Sequence, residues 1–525
     1  MADPKHPMDE PRQPQRLPVT QKDHSVKYER SDKDVGNRVA KGAAFLLGGR
    51  IIVRLFSLAN IVILARLLTP DDYGVAALAF AVITFLQIFS DIRINQAIVA
   101  LRHIDAPLLH TGFTINLARG VLIGLVMLLF AGPIAAYTRE PRLFDVMHAL
   151  AIVPLLDGLR NPAFMLFRRQ IEFSREFWLT FFATLLGFVA ALAVALVTRD
   201  YWAIVAGAIA GRFAESALTY WRLPFRPRLH LQGARQFLSF GGWTTMDSVM
   251  LNIANQAPSL LLGRFAGAQA LGFFSVGNQF ARIVTQELAM PLAAAFMPGL
   301  AAVAHNEERL RLAYRKAQSA VLTVTLPLGL GVALLAPQII ALLAGERWLP
   351  HAADVVRWVA PAFSIALVAA ATDALATARL ALRPMALRSL AYAAIMVPMH
   401  YWAITSYGLR GAILSLVGGA LLMALMRLWM ASSMLGDHML APLMRNWRVF
   451  VAATAMCAAV LLSNPPAPVG RGELQVALDL VPRVCLGAIV YSSVLWLLWR
   501  AQGRPDGLEA RVVESWPKLR RKLGL

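Results

Sequence analysis

Apolar runs of about 20 residues follow one another along nearly the whole chain, and they limit its possible folds more than any other feature. As an α-helix, a run of this length crosses a hydrocarbon core of roughly 30 Å. Hydrophobic residues make up 58% of the 525 residues, whereas charged residues make up 16%. Ordinary soluble domains do not have this balance. The sequence therefore predicts an all-α, polytopic membrane protein.

The apolar runs predict about fourteen transmembrane helices, which we number as spans 1 to 14 in chain order. Boundaries taken from a single sequence are accurate to about four residues. The spans run approximately 39–65, 73–99, 108–137, 143–166, 174–197, 201–221, 236–263, 271–301, 313–344, 351–378, 385–405, 409–434, 448–463 and 480–499.

A turn motif after span 1 returns after span 7. Residues 65–74 read Ala-Arg-Leu-Leu-Thr-Pro-Asp-Asp-Tyr-Gly, and residues 263–272 read Gly-Arg-Phe-Ala-Gly-Ala-Gln-Ala-Leu-Gly. The Arg and the final Gly coincide at an offset of 198 residues, with apolar runs in register on both sides. Such a repeat indicates two related halves. Six spans precede the second copy, so both halves enter the membrane from the same side, as two parallel six-helix bundles around a central inter-lobe cavity.

Lys and Arg predict the orientation of the spans. With the N-terminus inside, the segments assigned to the inner side hold 33 of the 51 basic residues, and those assigned to the outer side hold 8. This is a strong positive-inside pattern, and it relates the net charge of +20 to anionic lipid rather than to nucleic acid. The predicted division is a disordered cytoplasmic tail at 1–38, an N-lobe at 39–222, a C-lobe at 235–435, two additional helices at 446–500 and a basic cytoplasmic tail at 501–525.

Several absences exclude other classes of protein. No Gly-Lys dipeptide occurs, so the chain has no phosphate-binding loop for ATP. The only two cysteines, Cys457 and Cys485, lie within apolar runs, and we expect no metal, no cofactor and no catalytic residue. A membrane polymerase or glycosyltransferase would need a sizeable loop with acid and base groups. The longest outer connection, 464–479, has only Glu473 and Asp479 as carboxylates.

Three stretches resemble the polysaccharide exporters of the multidrug/oligosaccharidyl-lipid/polysaccharide superfamily: Leu-Thr-Pro-Asp-Asp-Tyr-Gly at 68–74, its echo at 263–272, and Asn-Glu-Glu-Arg-Leu-Arg-Leu-Ala-Tyr at 306–314. The resemblance covers roughly 38–435 and implies that an oligosaccharide on polyprenyl pyrophosphate moves from the inner to the outer leaflet of the inner membrane. Many relatives carry an acidic residue where this chain has Pro258. The alternatives within the superfamily are a peptidoglycan-precursor (lipid II) flippase and a small-molecule exporter.

The resemblance also implies that spans 1, 2, 7 and 8 line the vestibule, and that the partners are a lipid-linked oligosaccharide, membrane lipids, and the polysaccharide polymerase and export machinery. Polar residues form stripes at helical spacing on spans 2, 7 and 8. Arginines within spans are expensive and mark a function or a partner, and their planar guanidinium groups suit a pyrophosphate. The candidate cavity residues are Arg50, Arg54, Arg119, Arg212, Arg282, Asp91, Asn95, Asn252, Asn255, Gln279 and Gln286.

These residues also allow a structural interpretation. The polar stripes are able to hydrogen-bond helices to one another, as such residues do in membranes. Arg212 lies three residues before Glu215, so an internal ion pair competes with a ligand contact. Arg160 and Arg427 lie near the predicted inner ends of their spans, and we expect them to snorkel to the interface.

The topology is directly testable with single cysteines in a background that lacks Cys457 and Cys485. Because the charge pattern places residue 69 outside and residue 170 inside, an impermeant thiol reagent added to intact cells should label Thr69→Cys and leave Gln170→Cys unlabelled. Labelling of position 170 from outside would contradict the fourteen-span topology.

Overall fold

The computed structural model describes residues 35–89, 106–169, 173–222, 225–231, 242–283, 285, 299–300, 303, 305–465 and 467–503. These ranges are predominantly helical and contain no β-strand, which confirms the predicted all-α class. The first helix begins at Val35, so the last four residues of the predicted disordered tail are helical. The rest of that tail and the basic end at 504–525 lie outside the described residues.

The α-helices of the described ranges are numbered here in chain order. They are α1 Val35–Leu67, α2 Pro70–Phe89, α3 Ala106–Thr138, α4 Arg142–Leu150, α5 Ile152–Leu159, α6 Met165–Arg169, α7 Phe173–Val197, α8 Trp202–Arg222, α9 Gly242–Arg282, α10 Glu307–Leu334, α11 Ala336–Leu343, α12 His351–Ala366, α13 Ala371–Ala378, α14 Leu382–Leu435, α15 Ala441–Arg445, α16 Trp447–Leu462 and α17 Glu473–Ala501.

Two of the long helices contain two predicted spans each. The helix α9 is broken at Gly267 (φ 84°, ψ 172°), and α14 is broken at Gly408 (φ 55°, ψ −129°). Glycine adopts such backbone angles without the steric cost that a side chain brings. The predicted turns between spans 7 and 8 and between spans 11 and 12 are therefore reduced to single residues. By length and composition, seven helical segments of the described ranges are long and apolar enough to cross a membrane, and the total of fourteen crossings stays a prediction.

The first copy of the turn motif is short because its residues end one helix and start the next. The Thr69 backbone N–H donates to Asp72 Oδ2 (3.0 Å), and the Asp72 N–H donates to Thr69 Oγ1 (3.2 Å). This reciprocal arrangement is a capping box, which satisfies donors that a helix N-terminus leaves open. Pro70 occupies the first helical position, where its missing N–H costs nothing. The chain thus reverses between α1 and α2 within a few residues.

The two copies of the motif pack against each other through reciprocal contacts. A Cβ added to Gly74 would lie 1.7 Å from the carbonyl oxygen of Ala268, and a Cβ added to Gly272 would lie 1.7 Å from the carbonyl oxygen of Pro70. Residues 70 and 268 have the same 198-residue offset as residues 74 and 272. The contact is therefore reciprocal between the repeats, and it joins the backbones of α2 and α9 directly.

Trp348, in the turn that follows α11, packs against residues of both copies of the motif or next to them. Its side chain is fully buried, and its Nε1 donates to the Ala65 carbonyl (2.9 Å). Its ring packs edge-on against Tyr73 of the first motif (5.4 Å) and Phe273 just after the second (5.9 Å). One aromatic side chain thus contacts both halves of the chain. We call the contact formed by Pro70, Gly74, Ala268, Gly272 and Trp348 the seam.

The motif arginines on either side of the seam reach across to the opposite half. Arg66 donates to the carbonyls of Leu342 and of Leu343 (3.2 Å), at the end of α11. The Arg264 guanidinium lies 5.2 Å from the ring centre of Tyr137, at the end of α3. Both contacts cross between halves, so the repeat in the sequence is also a repeat in the packing.

The two helices outside the repeat also contact the seam region. Helix α17 packs against α16, and Tyr491 donates to the carbonyl of Thr323 on α10 (2.7 Å). The connection before α17 reaches further: Gly470 N–H donates to Glu346 Oε1 (2.8 Å), and Glu473 accepts from Arg66 (2.5 Å). The extra helices are therefore tied to both halves.

Replacing the seam glycines with alanine should separate α2 from α9, because each new Cβ would clash with backbone rather than with a mobile side chain. Overpacking of this kind costs about 1–3 kcal/mol. We expect Gly74→Ala and Gly272→Ala each to lower the thermal unfolding midpoint of the purified protein. The matched control is Gly331→Ala in α10, where nothing lies within 4 Å of the added atom. That variant should be neutral or slightly stabilising, and equal midpoints for all three variants would contradict the seam packing.

Candidate functional site

Arg54 lies on the face of α1 that is turned away from the neighbouring helix. Two residues later, Phe56 packs edge-on against Phe181 of α7 (5.3 Å between ring centres). Two helical residues differ by about 200° around the axis. Arg54 is correspondingly exposed, on the side of α1 opposite α7.

The second half of α9 has one packed face and one exposed face. Gly277 contacts Val355 of α12, and Phe280 and Ala281 are buried. Gln279 and Arg282 are exposed, three residues apart and thus on one face. In the first half of α9 Asn255 is exposed, whereas Asn252 donates its side-chain amide to the carbonyl of Ser248 within the same helix (2.8 Å).

The N-terminal half contains a cluster of charged side chains between α5 and α8. Arg160 pairs with Glu215 (2.8 Å), and Arg212 pairs with both Glu215 (2.9 Å) and Asp157 (3.6 Å). Gln87 of α2 donates to Asp157 Oδ2 (3.5 Å). Of the two interpretations of Arg212, the structure therefore contains the internal ion pair. Arg160 was expected to snorkel; its guanidinium group is paired with Glu215, and its depth in the membrane stays a prediction.

A small cavity of about 110 Å³ adjoins this cluster. The chain is not helical at Arg160 and Asn161, between α5 and the short 3₁₀ turn Pro162–Phe164. The Asn161 side chain hydrogen-bonds backbone groups near this interruption of the helix. Its Oδ1 accepts from the Ala163 N–H (3.1 Å), and its Nδ2 donates to the Phe225 carbonyl (2.8 Å). Interrupted helices commonly line polar sites in membrane transporters. The cavity is lined by Asn116, Arg119, Asp157, Arg160, Asn161, Pro162 and Met165.

The C-terminal half contains a second charged cluster. Arg388 and Arg427 each bind one oxygen of Asp373 at 2.7 Å. Arg388 Nη2 also lies 3.8 Å from Asp247, which accepts from the Ser389 hydroxyl (2.6 Å). Arg427 was also expected to snorkel; its guanidinium group is bound by Asp373, and its depth in the membrane stays a prediction.

The C-terminal cluster was missed in the sequence, although a signal was present. Asp373 lies seven residues before Leu380 and Arg388 lies eight residues after it, with the chain reversing between α13 and α14. In an antiparallel pair, positions equally far from the turn lie at the same depth. An acid and a base at matching distances from a short turn therefore predict an ion pair.

The two clusters differ in composition. The C-terminal cluster holds two guanidinium groups and two carboxylates, so their charges cancel. Among the described residues, the N-terminal cluster with Arg119 at its cavity holds three guanidinium groups and two carboxylates. Guanidinium groups beside a polar cavity suit an anionic group. Three of the candidates, Asp91, Asn95 and Gln286, lie outside the described residues, as does the side chain of Arg50. A role in binding stays a prediction for all eleven candidates.

Comparison with known proteins gives a family match. Residues 63–353 match the family described as polysaccharide biosynthesis protein. The lipopolysaccharide biosynthesis protein WzxC of Escherichia coli is 24% identical over 321 residues, which are 59% of this chain and 64% of that protein. The succinoglycan biosynthesis transport protein ExoT of Rhizobium meliloti is 26% identical over 54% of this chain and 58% of its own length. The matches span about three fifths of these relatives.

Two solved structures have a similar fold. A lipid II flippase MurJ in an inward closed conformation superposes with a TM-score of 0.71 at 10% identity, over 88% of this chain and all of that one. An inward-facing multidrug resistance MATE family transporter superposes with a TM-score of 0.56 at 15% identity, over 75% and 99%. At these identities the likeness concerns the fold alone.

Replacing Arg388 tests whether the C-terminal cluster is structural. Its side chain is 5% exposed, and breaking a buried pair costs about 3–5 kcal/mol because a charge is left uncompensated. We expect Arg388→Gln to lower the unfolding midpoint strongly, and Arg388→Gln with Asp247→Asn to recover part of the loss, because Asp373 keeps Arg427 as its partner. The control is Arg357→Gln, whose partner Asp354 lies 3.4 Å away at an exposed position, where such pairs contribute below about 1 kcal/mol. Equal midpoints for Arg388→Gln and the control would show that the pair is not needed.

Proposed function

The chain belongs to the polysaccharide biosynthesis protein family, and on this premise we propose that it moves a polyprenyl-pyrophosphate-linked oligosaccharide across the inner membrane by alternating access. The oligosaccharide would be a precursor of exopolysaccharide, capsule or O-antigen. In this proposal the protein is a transporter and not an enzyme, and both of its termini are cytoplasmic.

The seam is the observation that supports this function best. It joins the two repeats at one end through backbone contacts and Trp348. Two lobes that meet at one end leave their opposite ends able to separate, as transport by rocking of two bundles requires. The turns at the seam belong to the loops that the Lys and Arg distribution assigns to the outside. The proposed state is therefore closed outside and accessible from the cytoplasm.

The separate charge compensation of each lobe is a second support. Asp157 and Arg212 pair within the N-terminal half, and Asp373 and Arg427 pair within the C-terminal half. Since these pairs do not cross between lobes, rocking does not require them to break. The cost of burying the charges is then the same in each state.

In this function the exposed arginines bind the pyrophosphate. Arg54 on α1 and Arg282 on α9 belong to opposite lobes and are both exposed, and a guanidinium group pairs with phosphate oxygens through two parallel N–H donors. Arg119, which lines the N-lobe cavity, and Arg212, which adjoins it, would add guanidinium groups to the binding surface of the N-lobe. The remaining cavity residues would hydrogen-bond sugar hydroxyls or extend the wall: Arg50, Asp91, Asn95, Asn252, Asn255, Gln279 and Gln286.

The alternatives make different demands on the same cavity. An exporter of cationic drugs would require an excess of carboxylates, whereas the described lining of the cavity includes Arg119 and Arg160 beside Asp157. A peptidoglycan-precursor flippase would bind the pyrophosphate in the same way. The identity of the lipid that accumulates distinguishes this alternative from the proposed function. The proposed partners beyond the lipid-linked substrate are the polysaccharide polymerase and export machinery, which would consume the translocated product.

Arginine replacements test the function. If Arg54 and Arg282 hold the pyrophosphate, Arg54→Ala and Arg282→Ala should each lower polysaccharide export about tenfold or more, since a charge-assisted hydrogen bond contributes about 1.5–3 kcal/mol. Lysine should restore export only in part, because it keeps the charge but loses the two-pronged geometry. The measurements are exported polysaccharide and the leaflet in which lipid-linked oligosaccharide accumulates.

The control for this experiment is Arg357→Ala, an exposed arginine paired with Asp354 on its own helix, which should export normally. Normal export by the Arg54→Ala, Arg282→Ala double variant at wild-type abundance would remove both residues from the site. Accumulation of a peptidoglycan precursor, with no change in lipid-linked oligosaccharide, would instead support the flippase alternative.

A further inference from the structure

The chain between α14 and α16 forms a compact junction at the opposite end of these helices from the seam. Gly436 (φ 68°) ends α14 in a left-handed conformation, with its N–H donating to the Ser432 carbonyl (2.8 Å). Glycine is the usual residue at this position of a helix end. The junction, residues 436–448, then continues through the short helix α15 into α16.

Three arginines converge on one carboxylate in the junction. Arg315 of α10 grips Asp437 with two hydrogen bonds, from Nε to Oδ2 (3.0 Å) and from Nη2 to Oδ1 (2.5 Å). Arg311, one turn earlier on α10, has its Nε 3.9 Å from Asp437 Oδ1. Arg445, at the end of α15, has its Nη2 3.8 Å from Asp437 Oδ2. Only Arg315 has hydrogen-bonding geometry with Asp437.

The positive charge of this cluster exceeds what Asp437 can neutralise. The hydrogen bonds from Arg315 hold the pKa of the Asp437 carboxyl below its usual range, so the group remains ionised. Burial, and to a smaller extent the nearby Arg315 charge, lower the pKa of Arg445, because both disfavour its charged form. Among the described residues, three guanidinium groups lie within 4 Å of one carboxylate, so the positive charges outnumber the negative charge by two. An additional anion would relieve this repulsion.

Beside the cluster, the junction exposes an apolar face. Leu440 is 43% exposed, Met444 is 72% exposed and Trp447 is 43% exposed. Their spacing of four and then three residues places them on one side of the turn. The other side is packed, with Pro442 and Asn446 buried. Since α15 lies between the ends of α14 and α16, this apolar face lies at the membrane boundary of the protein.

We propose that the junction binds an anionic phospholipid of the inner leaflet, with its phosphate between Arg311 and Arg445 and its acyl chains against Leu440, Met444 and Trp447. A soluble phosphate would use only the charged half of this surface. A phospholipid uses both halves, and basic groups beside membrane-helix ends on the cytoplasmic side are the usual setting for anionic head groups. The surface includes neither Arg54 nor Arg282, and the inference does not depend on the proposed substrate.

The test measures lipid binding to the purified, delipidated full-length protein, with native mass spectrometry as the readout. The probes are dioleoyl phosphatidylglycerol and dioleoyl phosphatidylcholine, which share acyl chains and differ in net charge. The variant is Arg311→Gln with Arg445→Gln, which leaves the hydrogen-bonded Arg315–Asp437 pair intact. The matched control is Arg309→Gln with Arg500→Gln: it removes two charges at the same end of the helices, and neither residue lies at Asp437.

The wild type and the control should bind phosphatidylglycerol in preference to phosphatidylcholine. The double variant should lose about 25-fold in affinity for phosphatidylglycerol, since each basic residue near an anionic lipid contributes roughly fivefold. Its affinity for phosphatidylcholine should stay unchanged. If the double variant does not fold, Arg445→Gln alone should lose about fivefold.

Three outcomes would overturn the proposal. The first is undiminished phosphatidylglycerol binding by the folded double variant or by Arg445→Gln. The second is an equal loss in the control, which would indicate a diffuse effect of charge. The third is displacement of phosphatidylglycerol by millimolar inorganic phosphate, which would assign the site to a soluble anion.

Discussion

The structure depends most on a contact between two stretches of backbone. Gly74 and Gly272 allow the carbonyls of Ala268 and Pro70 to approach to distances that any side chain would prevent. Because the two contacts are related by the 198-residue repeat, each half offers the other the same surface. Small residues at such crossings are the usual means by which membrane helices approach closely.

The charged clusters solve a different problem, which is how arginines persist in an apolar protein. A charge in the hydrocarbon region is expensive unless it has a partner. In each half, an aspartate on the fourth predicted span binds an arginine on the sixth: Asp157 with Arg212, and Asp373 with Arg427. Each lobe is thus compensated within itself. The lobes meet at the seam through backbone, aromatic rings and arginine-to-carbonyl bonds, which are short-range contacts that do not hold when the surfaces separate.

Much of the fold could be predicted from the sequence, because its main determinants are local. Runs of apolar residues report membrane helices whatever their neighbours are, and the repeated Arg and Gly at 66, 74, 264 and 272 report the two halves. The break at Gly267 was expected as a turn of several residues, since a single sequence does not distinguish a short loop from one glycine with positive φ.

The candidate site was less predictable, because the fate of a buried charge depends on which helices are neighbours. Arg212 and Glu215 were recognisable as a pair from their spacing, whereas the pairing of Arg160 with Glu215 requires knowing that α5 packs against α8. No pattern in the sequence indicated that Trp348 would contact the first half of the chain. It lies outside the repeat motif, and its contacts with Ala65 and Tyr73 are separated from it by more than 270 residues of chain.

The helices beyond the repeat make the two sides of the seam unequal. Arg66 is bound by Glu473, at the start of α17, whereas its repeat counterpart Arg264 lies over the rings of Tyr137 and Phe265. The Glu473 side chain is 68% exposed, so dissolved salt screens its attraction for Arg66, while the contacts of Arg264 with the rings depend less on the surrounding solution. A chain with two related halves thus has one contact beside the seam that weakens as the ionic strength rises and one that changes little.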